Sequence, residues 1–409
     1  MPPLYPAFTP RPGRAGNCVP KGSRGRSCQA VENGAIPPGA NCFRHNFLPS
    51  YACFLYNEIK ILPGACAWGL VFRNNGMGDP NPLQIRRLTN GGLITNYYCT
   101  SRCRHCLYAC SPRWEKRYIG AETAARSFRK IKELGCHSVH IGGGEPFLDP
   151  PGLGAVLAAA RDAGVGIEYV ETNSSWFTGP EEAANLLTAL RKQGLAALLI
   201  SISPFHNEHI PFRRVKGVIA ACRAAGVQAF PWVNGFYREI DSFDDGKTHG
   251  LEEYAAKFGA DYLRRVPGRY WIHPGGRAVG TFAPVLPLEP LESVCKESPG
   301  GCRELLDTRH FHLDLFGNYI PGLCAGLAIR LADLGKPLAA ADYPLLTTLF
   351  HHGVQGLLDY AASRQGFRAA AHYLSKCHLC LEIRSHLVLH RGERTPELQP
   401  LGFYENLGG

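Results

Sequence analysis

Apolar and polar positions fall into a regular pattern only from about residue 90 onward. Residues 1–85 mix Pro, Gly and Cys without a period and predict an irregular segment. Gly92 to Tyr98 is then a strand-like apolar run, and Ala121 to Leu134 has helical spacing, with Gly135 placed to end it. Ser138 to Ile141 predicts a short strand that stops at glycines, and Gly152 to Ala163 a helix. The alternation continues with a strand over Gly166 to Val170, a helix over Glu181 to Lys192 and a continuously apolar strand over Ala196 to Ile202. A helix over Phe212 to Ala225, ended by Gly226, precedes a strand over Gln228 to Val233. Leu251 to Val266 predicts one more helix, with room for a sixth strand near Tyr270.

Strands alternating with helices of this length imply βαβ units and a parallel sheet. Five strands and room for a sixth fit an α/β fold built as a partial (β/α)6 barrel better than a closed barrel of eight. From about residue 285 the regularity ends, cysteines return, and one long helical stretch, Tyr343 to Arg364, stands out. The expected division is an irregular N-terminal segment (1–85), a partial barrel (86–284) and a Cys-rich C-terminal extension (285–409).

Composition changes the picture mainly through cysteine. Of 16 Cys, five precede residue 70, five lie from Cys99 to Cys136, Cys222 stands alone and five follow residue 290. The Met-Pro-Pro start lacks the apolar region of a secretory signal, so a cytoplasmic protein whose thiols serve metal sites or packing is expected. No apolar run reaches membrane-spanning length; Tyr51 to Phe72 is interrupted by Asn57, Glu58 and Lys60. The formal charge of +10 is moderate. Part of it comes from Arg11, Arg14, Lys21, Arg24 and Arg26, which suit a solvated tail and do not exclude contact with nucleic acid or an acidic peptide.

The chemistry centres on Cys99, Cys103 and Cys106. Three thiolates in a tight loop can hold three irons of a [4Fe–4S] cube and leave the fourth open, whereas closed zinc sites and electron-transfer clusters normally take four ligands. Two other readings stand beside this one. The loop could be half of a zinc knuckle, or Cys110 could close a ferredoxin-type cluster, since Cys103, Cys106, Cys110 and Pro112 partly echo the C-x2-C-x3-C-P run. On the next predicted strand, Gly142-Gly-Gly-Glu-Pro146 joins backbone freed by glycines to a carboxylate able to accept from an amine. Thr172-Asn173 and Ser201 to Ser203 follow at later strand ends, where α/β sheets gather their chemistry. His206, His209 and His273 lie nearby as substrate contacts or ordinary loop positions.

The three-Cys loop followed by Gly142–Pro146 resembles the radical S-adenosylmethionine (radical SAM) superfamily over roughly residues 90–270. The resemblance implies a partial barrel and a [4Fe–4S] cluster held by Cys99, Cys103 and Cys106. Gly143, Gly144 and Glu145 would lie against the methionine amino group of S-adenosylmethionine, Thr172 and Asn173 near its ribose or carboxylate, and Ser201 and Ser203 at the following strand end. It further implies reductive cleavage to a 5′-deoxyadenosyl radical, an electron donor such as flavodoxin or ferredoxin, and a small-molecule or peptide substrate. His105 departs mildly from the aromatic residue that such loops often carry before the third Cys.

In the C-terminal part, Cys302 and Cys324 flank a predicted hairpin turning at Gly317-Asn318, and Cys377-His-Leu-Cys380 follows. The spacing suits a tetrahedral metal or a second cluster and resembles the SPASM and twitch extensions with their auxiliary clusters. Structural zinc and buried free thiols are the alternatives, and Cys295 competes for the role of Cys302. Cys18, Cys28, Cys42, Cys53 and Cys66 have no recognisable spacing. For the whole chain, the reading from another class is a non-catalytic iron–sulfur protein that carries electrons or scaffolds a complex.

Overall fold

The computed structural model describes residues 81–231 and 233–408. The five N-terminal cysteines, the stretch Tyr51 to Phe72 and the basic positions before Glu32 lie outside the described residues. Eight strands form one sheet in the order β5-β4-β3-β2-β1-β6-β7-β8. They are β1 (Gly91–Ile94), β2 (Ser138–Gly142), β3 (Gly166–Thr172), β4 (Ala197–Ile200), β5 (Gln228–Pro231), β6 (Phe311–Asp314), β7 (Asn318–Ile320) and β8 (Ile329–Arg330). From β5 across to β6 every pairing is parallel, and β7 and β8 add an antiparallel hairpin at one edge. The fold is mixed α/β with a mostly parallel sheet, in keeping with a partial barrel.

The covering helices form where apolar spacing predicts them. In α1 (Ala121–Glu133), Ala124, Phe128 and Ile131 share the buried face, Lys130 and Lys132 sit in the last turn, and Gly135 follows at φ +87°. The helix α2 (Pro150–Ala163) starts where the Asp149 side chain accepts from the Gly152 N–H at 3.0 Å. Next come α3 (Pro180–Lys192) and α4 (Phe212–Ala225), the latter ended by Gly226 in the left-handed region. α1 packs on α2 and α3 on α4.

Four expectations change. No strand forms near Tyr270, where Pro274, Gly275 and Gly276 interrupt the chain. The sixth parallel strand is β6, on the other side of β1, so the sheet runs on past residue 285. The helix expected over Leu251 to Val266 breaks at Gly259 (φ +112°) into α5 (Leu251–Phe258) and a single turn, Tyr262–Arg265. The long C-terminal helix α7 (Pro344–Gln365) is interrupted at Gly353 (φ +62°), where a Cβ would collide with the Gly300 carbonyl; the shorter α6 (Arg277–Phe282) precedes it. The hairpin turns one residue early, through Gly317 at φ +79°, with Asn318 opening β7.

The start of α7 is tied to the far end of the chain by Glu397. Its buried carboxylate accepts from the N–H groups of Leu345 (2.9 Å) and Leu346 (2.7 Å). Burial outweighs these donors and pushes its pKa up to about 7. The folded value lies above the unfolded one, so this group's contribution to stability is complete below about pH 4.5 and is lost as pH rises through about 7. Glu397→Gln mimics the protonated form. Urea denaturation from pH 5 to 8 should therefore show the variant gaining on the wild type with rising pH, by up to roughly 3 kcal/mol; a constant difference would refute the assignment.

Candidate active site

Beyond β1 the chain crosses the carboxyl ends of the parallel strands and enters the cysteine loop. The loop is pinched at its base: Cys99 N–H donates to the Ser111 carbonyl (3.2 Å) and Ser111 N–H to that of Tyr97 (3.3 Å). Cys99 and Cys103 are buried and Cys106 half-buried. Burial pushes Cys99 up to about 12 against the hydrogen bonds of Ser101 and Asn173, and raises Cys103 well above the usual thiol value, with Cys99 and Cys106 adding to the effect. Cys106 moves the other way, down to about 6, because the Cys110 thiol donates to its sulfur; Cys110 is correspondingly raised. The three thiols are thus mutual neighbours with one poised as thiolate. Cys110 belongs to the same group instead of pointing away from it.

The glycine run continues directly from β2. Gly143 adopts φ +150°, and a Cβ on Gly144 would collide with the Tyr98 carbonyl. The close approach that glycine permits here is to the chain's own Asn96–Tyr98 backbone. Asn96 fastens the contact: its Oδ1 accepts from Gly144 N–H (3.1 Å) and its Nδ2 donates to the Glu145 carbonyl (3.1 Å). The fully buried Glu145 carboxylate accepts from Thr172 Oγ1 (3.0 Å), Phe147 N–H (3.1 Å) and Asn173 N–H (2.6 Å). Burial nevertheless pushes Glu145 up to about 7. Asn173 Nδ2 also reaches Cys99 Sγ (3.4 Å), so Cys99, Glu145, Thr172 and Asn173 form one network.

At the next strand end, Ser201 N–H donates to the Thr172 carbonyl at 2.9 Å. Ser203 Oγ pairs with His206 Nδ1 at 2.7 Å, and burial lowers His206 to about 4. His105 stacks on Phe205 with ring centroids 4.6 Å apart and meets His206 and Tyr270 edge-on, so its imidazole fills an aromatic's place. His209 is half-buried nearby. His273 lies within electrostatic reach of Glu304, Arg384 and His310, and its ring flanks Gly275 together with Leu107 of the cysteine loop.

One supporting residue escaped the sequence reading. The buried Arg277 guanidinium donates to the carbonyls of Cys103 (3.0 Å), Cys110 (2.6 Å) and Asn406 (3.4 Å), while its own N–H donates to the Cys106 carbonyl (3.1 Å). Gly276 (φ +55°) allows this, since a Cβ would collide with the Leu107 carbonyl. Asn406 follows the helix α9 (Leu401–Glu405), and its Oδ1 accepts from Ser111 Oγ at 2.7 Å. Arginine in a Gly-Gly-Arg turn carries no sequence signal separating it from a surface cation.

Residues 93–234, from β1 past β5, match the model of the Radical SAM superfamily. These residues form a radical SAM domain. Such a domain implies a [4Fe–4S] cluster and S-adenosylmethionine (AdoMet). No curated protein matches the chain. Among solved structures, native anSMEcpe with bound AdoMet and Cp18Cys peptide aligns at 17% identity and a TM-score of 0.29, over 43% of this chain and 49% of that one. Streptococcus suis SuiB bound to the precursor peptide SuiA gives 15% identity and 0.28, over 65% of each chain. BtrN in complex with AdoMet and 2-DOIA gives 13% and 0.32, over 59% and 75%. The aligned region spans about half the length of the anSMEcpe chain.

Outside the radical SAM domain, the remaining expected cysteines converge. Cys302, nine residues before β6, is raised by burial and by Cys324 and Cys380; Cys324 is raised by burial and by Cys377 and Cys380. Cys377 and Cys380 lie in the first turns of α8 (Lys376–Leu389), whose amino end favours thiolates. One turn on, the buried Arg384 bonds Cys380 and donates to the Ala325 carbonyl at 2.9 Å. Cys295 stands apart, its neighbours being Asp359 and Tyr373, so it does not take the role of Cys302. Among the described residues, no helix is long and apolar enough to cross a membrane.

If Arg277 holds the cysteine loop in shape, Arg277→Met will fold yet lose iron from the loop about tenfold faster during anaerobic gel filtration. Iron retention equal to wild type would show the brace to be dispensable.

Proposed function

We propose that the protein is a radical SAM enzyme in which Cys99, Cys103 and Cys106 hold a [4Fe–4S] cluster and Gly143, Gly144, Glu145, Thr172 and Asn173 hold S-adenosylmethionine. The observation that carries this reading is the single network joining Cys99 to Glu145 through Asn173. When bound, the pair would supply a 5′-deoxyadenosyl radical by reductive cleavage of the sulfonium. Asn173 orients Cys99 and the Glu145 carboxylate together. Glu145 has lone pairs beyond those its three donors use, and its raised pKa gives a cationic amine there something to relieve. Arg277 offsets negative charge on the thiolates from behind. Ser201 and Ser203 border the same strand ends as further cofactor or substrate contacts.

The reading includes an auxiliary iron–sulfur cluster on Cys302, Cys324, Cys377 and Cys380, in a SPASM- or twitch-like extension over residues 285–409 whose strands β6 to β8 continue the sheet of the barrel over 86–284. Four thiols, two of them a C-x2-C pair at the start of a helix, suit a second cluster, with structural zinc as the other group such a set can hold. The substrate is a peptide or small precursor in a maturation pathway, the reductant a flavodoxin or ferredoxin, and the compartment the reducing cytoplasm that keeps such thiols free.

Reconstituted anaerobically and reduced with dithionite, the protein should release 5′-deoxyadenosine from S-adenosylmethionine, and Cys110→Ser should keep that activity. Release no greater than from Cys103→Ala would leave the electron-carrier or scaffold reading in its place. Iron and sulfide should each approach about eight per chain and fall to about four in Cys324→Ala/Cys380→Ala. About four in the wild type, with zinc present, would reassign the second site.

A further inference from the structure

One face of the sheet carries a group of side chains that neither cluster nor S-adenosylmethionine uses. His140 on β2 and His312 on β6 both lie level with Gly92 of β1, and His310 precedes β6. One ligand atom from each of the three histidines lies within 4.8 Å of the other two. His140 Nε2 and His312 Nε2 are 2.9 Å apart. His140 and His310 lie nearly parallel, with ring centroids 5.4 Å apart, and each meets the His312 ring at about 70°, with centroids 5.0 and 5.1 Å away. We propose that His140, His310 and His312 form a binding site for a divalent transition-metal ion such as Zn(II), separate from both cysteine sites.

Four features beyond proximity support a ligand set. Metal–nitrogen bonds of about 2.0–2.1 Å in a tetrahedron place the nitrogens about 3.3 Å apart, so the His140–His312 pair needs to open by only about half an ångström. His140 and His312 are buried and His310 half-buried, surroundings that favour the neutral imidazole whose lone pair a metal takes. His312 is also held from outside, its Nδ1 lying 2.7 Å from the Tyr108 hydroxyl. To offer Nε2 to a metal, His312 carries its proton on Nδ1, where the Tyr108 oxygen accepts it; this is the outer contact that metal-bound histidines typically have. Finally, Gly92 keeps the place clear, since a Cβ there would collide with the His140 ring.

A carboxylate completes the group. Glu171 Oε1 lies 4.0 Å from His140 Nε2 on the same face of the sheet, close enough to become a fourth ligand or to balance charge. Three imidazoles suit zinc-like ions: with Glu171 as fourth ligand the tetrahedron is closed, and without it one position is left for an oxygen or nitrogen donor. Because Tyr108 is two residues beyond Cys106, an ion here would be coupled to the cysteine loop through one hydrogen bond.

The test uses the full chain with its iron–sulfur sites reconstituted, so that the cysteines are occupied, and Zn(II) as probe. After dialysis against micromolar Zn(II) and gel filtration, the wild type should retain about one zinc per chain, with a zinc-edge absorption spectrum showing nitrogen and oxygen near 2.0–2.1 Å and no sulfur near 2.3 Å. His310→Ala, the least buried of the three, should lose it, and Tyr108→Phe should bind about tenfold more weakly. No retained zinc in the wild type, a sulfur shell, or undiminished zinc in His310→Ala would each overturn the proposal. The wild-type spectrum decides even if a variant fails to fold. Nothing in the readout depends on cleavage of S-adenosylmethionine.

Discussion

The pairing of β1 with parallel strands on both sides is the constraint from which the rest follows. Four residues, Gly91–Ile94, join β2 of the barrel to β6 of the C-terminal part in a single register. Two glycines make this feasible, because a Cβ on Gly91 would strike Phe311 and one on Gly92 would strike His140. Once β1 is fixed, the cysteine loop leaves its carboxyl end beside the glycine run that leaves β2. The hairpin preceding Cys324 is then positioned by the same sheet. Sites far apart in sequence inherit their relation from one short buried strand.

Around that strand the protein buries charge where little water can help. Glu145, Arg277, Arg384 and Glu397 are all buried, and each is matched by several hydrogen bonds in place of a single counter-ion. Buried charges are tolerated on such terms, and removing one partner costs more than the pair contributes. The two arginines lie behind cysteine groups, where fixed positive charge favours thiolates. The two glutamates are raised by burial, so their environments suit the proton-bearing form or a neighbouring cation.

The barrel half was legible because its signals are local. Apolar runs such as Ala196 to Ile202 and the glycines ending α1 and α4 act within a few residues, and the three-Cys loop and Gly142–Pro146 carry their chemistry in their spacing. What failed was non-local or hidden by averaging. β6 was read as part of a hairpin; nothing in Phe311–Asp314 says that it pairs with Gly91–Ile94. The apolar rhythm of Leu251 to Val266 and of Tyr343 to Arg364 masked Gly259 and Gly353, single residues whose backbone angles interrupt otherwise sound helices. Arg277 and the three histidines acquire meaning only through neighbours that the sheet and the end of the chain bring to them.

The bracing of the cysteine loop also has an order in time. Ser111 and Asn406, which meet at 2.7 Å, are 295 residues apart, and Arg277 is bound between them and the loop. On the ribosome, Cys99, Cys103 and Cys106 emerge long before either Arg277 or α9 exists to hold them. The loop therefore spends much of synthesis as an unbraced cluster of thiols, and its final shape is set late. Until residues 277 and 401–406 are made, nothing supplies these hydrogen bonds, so the shape of the loop depends on the last part of the chain to be synthesised.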